Sequence, residues 1–283
     1  MGYEVKDKGK QNYFLQDLKD CKIVAMLAPC FVAEWKYPGI LFMLKKLGFD
    51  KVVELTFGAK IVNREYHKIL KSSKGLVISS VCPGVVETIK NNYPRYVKNL
   101  IKVDSPMVAM AKICRKNYPG HKICFISPCN FKKIEAQDCN QIDYVFDFQQ
   151  MNSIFSERKI GKPFFKKRIL FDKFYNDYTK VYPLSGGLTK TVHLKGILKK
   201  EECLCLDGMK KIGSFLDNPG KKIRFLDVTF CVGGCVGGCY SSDKNLKRKT
   251  KKVLNYLQKA RQEDIPENRK GLISKARGLK FRS

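Results

Sequence analysis

Acidic residues are scarce in this chain of 283 residues: 26 Asp and Glu stand against 55 Lys and Arg, a formal charge of +29. Such a balance suggests a polyanionic or acidic partner, either nucleic acid or an acidic protein steered electrostatically. The lysines run along the whole chain, and no helix-turn-helix, paired zinc finger or ribonucleoprotein sequence accompanies them, so nucleic acid is not the expected partner. Histidine is scarcer still. His67, His121 and His193 are the full set, and with none in a ligand-like context, surface or core placement is expected for each. No stretch approaches the roughly 18 uninterrupted apolar residues of a membrane span. The first ten residues, Met1 to Lys10, are polar and offer no apolar segment for a secretory leader. A linker rich in Pro, Gly or Ser is also missing, as is any internal repeat, so no boundary divides the chain. A single domain over 1–283 is expected, with a small basic helical tail at 244–283.

What is present is cysteine, twelve of them in a chain that is 44% hydrophobic and 11% aromatic. That composition is globular. Without a leader, clustered cysteines read as metal or redox chemistry in a reducing cytoplasm rather than as disulfides. The densest cluster is Phe225-Leu-Asp-Val-Thr-Phe-Cys231-Val-Gly-Gly-Cys235-Val-Gly-Gly-Cys239-Tyr240. An apolar, strand-like run enters a turn in which Gly-Gly pairs let the backbone approach a bulky object. Closely spaced thiolates suit a soft metal or an iron–sulfur cluster. Cys203-Leu-Cys205 is less specific and reads as packing at a helix start.

The first half of the chain alternates continuous apolar strands with amphipathic helices. Strands are expected at 22–28, 51–57, 76–79 and 122–126, and helices at 40–47, 59–71, 85–92 and 105–118. Within the helix over 59–71, Ala59, Val62, Tyr66 and Ile69 share one side. Ser105 and Pro106 provide the cap and first turn of the last of these helices. Such alternation predicts α/β architecture with mainly parallel sheets covered by helices. The segment 131–200 is less regular. It holds the aromatic stretch Asp143–Asp147, a Lys- and aromatic-rich stretch over 157–182, and Gly186-Gly187 at the start of a helix. A helix near 206–217, the strand at 225 and a basic helix over 246–261 complete the reading.

Two further cysteines end strands in matching contexts, Ser79-Ser80-Val81-Cys82-Pro83-Gly84 and Ser127-Pro128-Cys129-Asn130-Phe131-Lys132-Lys133. The carboxyl ends of parallel strands converge on the ligand crevice. Cys82, Cys129 and the Cys231/Cys235 pair would therefore meet there as four thiolates, the complement of a 4Fe–4S cluster. Zinc is the metal alternative, although its sites favour tight paired knuckles.

These three segments resemble the signatures of the H-cluster domain of iron-only (FeFe) hydrogenases. Val81-Cys82-Pro83-Gly84 falls on Thr-Ser-Cys-Cys-Pro-Gly, and Pro128-Cys129 through Lys132-Lys133-Ile134-Glu135 on Met-Pro-Cys-x-x-Lys-Lys-x-Glu. Asp227 through Cys231 and Cys235 falls on Glu-x-Met-x-Cys-x-x-Gly-Cys. Ala28-Pro29, Phe57-Gly58-Ala59, Ser105-Pro106 and Ser185-Gly186-Gly187 follow in the family's order. The resemblance implies a two-lobed fold with the cofactor between the lobes. Cys82, Cys129, Cys231 and Cys235 would hold a 4Fe–4S cubane. Cys235 would also bridge to a two-iron subcluster carrying carbon monoxide, cyanide and azadithiolate. Lys132 would pair with one cyanide, and Ala28-Pro29-Cys30 would face the other. The implied reaction is reversible H2 oxidation, with protons and H2 as substrates. Ferredoxin or a cluster-bearing subunit would be the electron carrier, and assembly would depend on hydrogenase maturases in an anaerobic cytoplasm.

The match departs from the family at several points. Val81 occupies the position of the family's proton-relay thiol, and valine carries no proton. Tyr66 and Ile69 stand where relay acids are expected, with Glu65 and Glu135 nearby. Ser127, Thr229 and Met107 replace two methionines and a glutamine. The ferredoxin-like extension of many relatives is absent, since Cys21 and Cys30 lack its spacing, and Cys239 has no assigned role. Slow turnover is therefore expected, and two other readings stand beside the enzyme: a low-turnover H2 sensor, and a non-catalytic relative of iron–sulfur assembly factors.

Overall fold

The computed structural model describes residues 2–161, 169–220 and 222–282. Part of the Lys- and aromatic-rich stretch over 157–182 lies outside these residues. After helix α1 (Gly2–Asp20) come β1 (Ile23–Leu27), α2 (Gly39–Leu47), β2 (Lys51–Glu54), α3 (Thr56–Ser72), β3 (Val77–Ile78), α4 (Pro83–Asn92) and α5 (Pro106–Asn117). Next are β4 (Lys122–Ile126), α6 (Phe131–Cys139), β5 (Tyr144–Phe146) and α7 (Phe148–Glu157). The remainder is α8 (Gly187–Thr191), β6 (Cys203–Asp207), α9 (Met209–Asp217), β7 (Phe225–Thr229) and α10 (Leu246–Arg261).

The strands form two sheets. One has four strands in the order β2-β1-β4-β5 and the other three in the order β3-β7-β6, and every pairing is parallel. As predicted, this is α/β architecture with parallel sheets flanked by helices. All five residues of β1 are buried, which is why it reads as an uninterrupted apolar run. Each sheet has its own apolar core: the larger is built on Ile23–Leu27 and α5, and the smaller on Ile78, Val85, Ile89, Ile212, Leu216, Leu226 and Val228. Val253, Tyr256 and Ala260 of α10 belong to the larger core.

Several expectations are corrected. β2 ends at Glu54 and not at residue 57. Glu54 is fully buried and accepts from Lys180 Nζ at 2.5 Å and from the Tyr256 hydroxyl at 2.9 Å, and the chain turns into α3 two residues later. Cys203–Asp207 is an edge strand rather than a helix start, paired in register with Phe225–Thr229. Within the segment over 131–200, the part up to Glu157 is regular, comprising α6, β5 and α7, whereas the described residues from 169 to 186 are irregular as expected. Helix α1 was not expected at all, yet it buries Phe14 against Phe146 and Tyr144.

Candidate cofactor site at the strand ends

Four strands deliver the predicted cysteines and their neighbours to one place. β1 runs into Ala28, and Pro29 opens a short 3₁₀ turn that carries the buried Cys30. β3 leads to Cys82, which caps α4 with Pro83 at its first position. β4 leads through Ser127 and Pro128 to Cys129. β7 leads to Cys231 and Cys235, with Phe230 N donating to Cys82 Sγ at 3.4 Å. The turns on either side of Cys235 require glycine, at 234 before it and at 237 after it. Gly234 has φ +79°, and a Cβ there would lie 2.5 Å from the Pro183 carbonyl oxygen. A Cβ at Gly237 would lie 1.8 Å from the Val232 oxygen.

Inside these turns is a cavity of about 100 Å³ whose lining is almost wholly apolar, room for several water-sized groups. Ala28, Pro29, Cys30, Val81, Pro106 and Met107 supply much of its wall, and Cys82, Cys129 and Cys235 open onto it. Cys231 stands beside rather than on this wall, within electrostatic reach of Cys82 and Cys129. Burial pushes the Cys231 thiol up to about 12, and the neighbouring sulfurs add to the shift. Cys235 is exposed and lines the cavity. The protein around it drives its thiol well up, helped by Cys30, Cys82, Cys129 and Cys231. Cys129 is likewise raised by burial, and Cys30 rises to about 12 for the same reason. Crowded, desolvated thiols cannot all ionise unless a cation takes up the charge, and metal binding releases their protons.

Lys132, Ser127, Tyr182 and Asp227 are among the polar groups that interrupt the apolar lining. Lys132 Nζ donates to Glu135 Oε2 at 2.6 Å and to Ser105 Oγ at 3.1 Å. Burial opposes its charge, yet Glu135 and the nearby sulfurs hold its pKa above the ordinary lysine value. Ser127 and Tyr182 both line the cavity and keep buried hydroxyl oxygens without a partner. Asp227 also faces it; this carboxylate accepts from Thr189 N and Oγ1 at 2.9 Å each, and burial raises its pKa.

The structure thus brings together Ala28, Pro29, Cys30, Pro106, Lys132, Cys82, Cys129 and Cys235, with Cys231 adjacent. Ser105 lies off the wall, capping α5 and holding Lys132. Glu65 does not reach the cavity, for it pairs with Lys68 and Arg282 on the outer side of α3. Tyr66 is buried, with its hydroxyl on Ser80. Cys205 is exposed beside Thr189, and Cys239 is exposed within reach of Cys231. Asp227 and Tyr182 were missed as cavity residues. An acid inside the otherwise apolar run Phe225–Val228 was the available signal for Asp227; nothing local marks Tyr182.

The donor set fits an iron–sulfur group. The four cysteines come from strand ends far apart in sequence rather than from the tight paired knuckles typical of zinc sites. A four-iron cube takes its thiolates at separate corners. The orphaned hydroxyls and Lys132 offer donors to a ligand bearing acceptor atoms.

Comparison with known proteins agrees. Residues 21–239 match the model of the iron-only hydrogenase large subunit, C-terminal domain. Iron hydrogenase 1 of Clostridium pasteurianum is 26% identical over 143 residues, which is 46% of this chain and 25% of that protein. The match therefore spans a quarter of that relative's length. Among solved structures, one describing oxygen inactivation of FeFe-hydrogenase through degradation of its H-cluster 2Fe subcluster superposes with a TM-score of 0.66 at 17% identity, covering 93% of this chain and 91% of that one. A variant of the FeFe-hydrogenase HydA1 of Chlamydomonas reinhardtii gives a TM-score of 0.64 at 16% identity over 93% and 90% of the two chains. At such identities these structures speak for the fold, while the family match covers most of the chain. The chain belongs to the family of the C-terminal domain of the iron-only hydrogenase large subunit.

Proposed function

We propose that this chain interconverts H2 with protons and electrons at an H-cluster, with Cys82, Cys129, Cys231 and Cys235 as the cubane ligands. One observation carries the reading: cysteines from the ends of three strands, in two parallel sheets, lie on or beside an apolar cavity whose lining includes one ammonium group, that of Lys132. When bound, the cofactor supplies the redox-active metal at which hydrogen is split or formed. The remaining work falls to the chain. Lys132, held by Glu135 and Ser105, presents a positive donor to an anionic ligand such as cyanide. Ser127 and the Cys30 turn offer further donors, and the apolar wall excludes water.

Protons need a path, and Val81 on the cavity wall cannot carry one. Glu135 touches Lys132 on one side and on the other lines an outer groove with Asp138 and Ser80. It is the side chain placed to pass a proton from that groove toward the cavity. Electrons would come from an external acidic carrier such as ferredoxin. Lys244 beside Cys239 and the basic first turns of α10 frame the cysteine loop where such a carrier would dock.

The test is expression with hydrogenase maturases, infrared spectroscopy for metal-bound CO and cyanide, and viologen-linked H2 evolution. Serine at any of the four ligand positions should abolish the bands, whereas Cys239→Ser should keep them. An assembled cluster with no detectable turnover overturns the enzyme reading. That outcome would favour the second reading, a low-turnover H2 sensor, which the valine at 81 supports. Iron without CO or cyanide bands would point to the assembly-type relative.

A further inference from the structure

On the far side of α3 from the cavity lies an open cleft of about 820 Å³, large enough for a small organic ligand. The two hollows share walls. Ala59 and Leu188 face the cavity, while Lys60, Asn63 and Thr191 of the same helices face the cleft. The cleft has cations but no carboxylate in its lining. Lys60, Arg64, His67 and Lys68 project from successive turns of α3, and Arg64 has no ion-pair partner among the described residues. Glu65, the acid nearest along the helix, is occupied by Lys68 and Arg282.

Two further features distinguish this cleft from a solvated basic face. At its mouth the rings of Tyr178 and His193 stack at 4.9 Å and 2°, and both residues are exposed. His193 is held there with φ +58°, a conformation uncommon for a residue with a side chain. At its floor Asn63 is only 6% exposed. Its Nδ2 donates to the Thr191 carbonyl at 3.1 Å and to Thr191 Oγ1 at 2.9 Å, which fixes the amide's orientation. Its Oδ1 is then a buried acceptor with no donor, a costly arrangement unless something supplies one.

We propose that this cleft binds a nucleoside phosphate, its phosphates on Arg64, with Lys60 (now donating to the Gly271 carbonyl) and Lys68 (now paired with Glu65) turning to share them, its base on the Tyr178–His193 stack, and a hydroxyl or amino group donating to Asn63 Oδ1. Charged donors suit phosphate oxygens, and an exposed aromatic stack accepts a base by its face without reading its identity. A cleft of about 820 Å³ matches a mononucleotide in size.

The experiment is calorimetric titration of the full chain at about 0.15 M salt, where surface attraction is largely screened. Four probes are compared: ADP, inorganic phosphate, adenosine and a single-stranded oligonucleotide. ADP should bind at least about tenfold tighter than phosphate or adenosine. Arg64→Glu should cost about tenfold or more, and Lys210→Glu, the same charge change on exposed α9, should cost nothing. His193→Ala should reduce ADP to the affinity of phosphate. No heat with ADP, equal loss in Arg64→Glu and Lys210→Glu, or an oligonucleotide that binds tighter than ADP and ignores Arg64→Glu would each overturn the proposal. The cleft needs no metal centre, so these outcomes are read independently of whether the chain assembles an H-cluster.

Discussion

Restoring a thiol at position 81 is the sharpest test of how this chain moves protons. Val81 is half-buried, lines the cavity, and lies directly before Cys82, which lines it too. Its carbonyl is 3.5 Å from Lys132 Nζ, so a side chain here is one neighbour from the Lys132–Glu135 pair. Val81→Cys removes about one methyl group from a partly exposed site, costing about 1 kcal/mol at most, too little to compromise folding. Positioned acid–base groups contribute roughly 10²–10⁴ in rate. The upstream positions hold Tyr66 and Ile69 rather than acids, so the gain belongs at the low end, about 10², equivalent to about 2.7 kcal/mol of barrier. The assay is viologen-linked H2 evolution per assembled cluster, with loading checked by infrared bands. A fully loaded variant that gains less than about threefold would refute the assignment of Val81 as the bottleneck.

Glu135→Gln preserves the shape and an acceptor for Lys132 but removes a proton carrier; activity should fall by about 10²-fold with infrared bands intact, and unchanged activity would rule out this route. Lys180→Met leaves the Glu54 carboxylate buried without its cation and should cost about 3–5 kcal/mol, whereas adding Glu54→Gln should recover most of that loss; strictly additive urea midpoints would contradict the coupling. Asp227 offers a pH test. Its folded pKa is raised above the ordinary 3.8, so the native state favours the protonated acid and ionisation works against folding at higher pH. Wild type should therefore lose stability relative to Asp227→Asn as the pH rises above about 4, and a difference in urea midpoint that stays constant as the pH is raised would refute the raised pKa.

The sequence displayed the β-α alternation because the inner strands are buried on both faces and carry no polar interruptions. Convergence of Cys82, Cys129, Cys231 and Cys235 was legible for a topological reason: parallel strands share one carboxyl end. β6 was not legible. Its residues are half-exposed at a sheet edge, and Cys203-Leu-Cys205 carries too little apolar signal to set a period. The end of β2 was hidden because Glu54 is an acid in the core, tolerable only through Lys180, 126 residues further on. The cleft beside Asn63 was invisible too, since it joins residues from α3 with the loops on either side of α8.

Most of the smaller sheet packs on an apolar core of its own, although its Val77 and Phe225 join the larger one, and the cysteine cavity lies where the strand ends of the two sheets meet. A cube of iron bound there would tie both halves together with bonds far stronger than side-chain packing. The metal-free chain should therefore melt in two steps, the smaller lobe first, and the loaded chain in one at higher temperature. In that arrangement the cofactor would also be a structural rivet, fastening one sheet to the other.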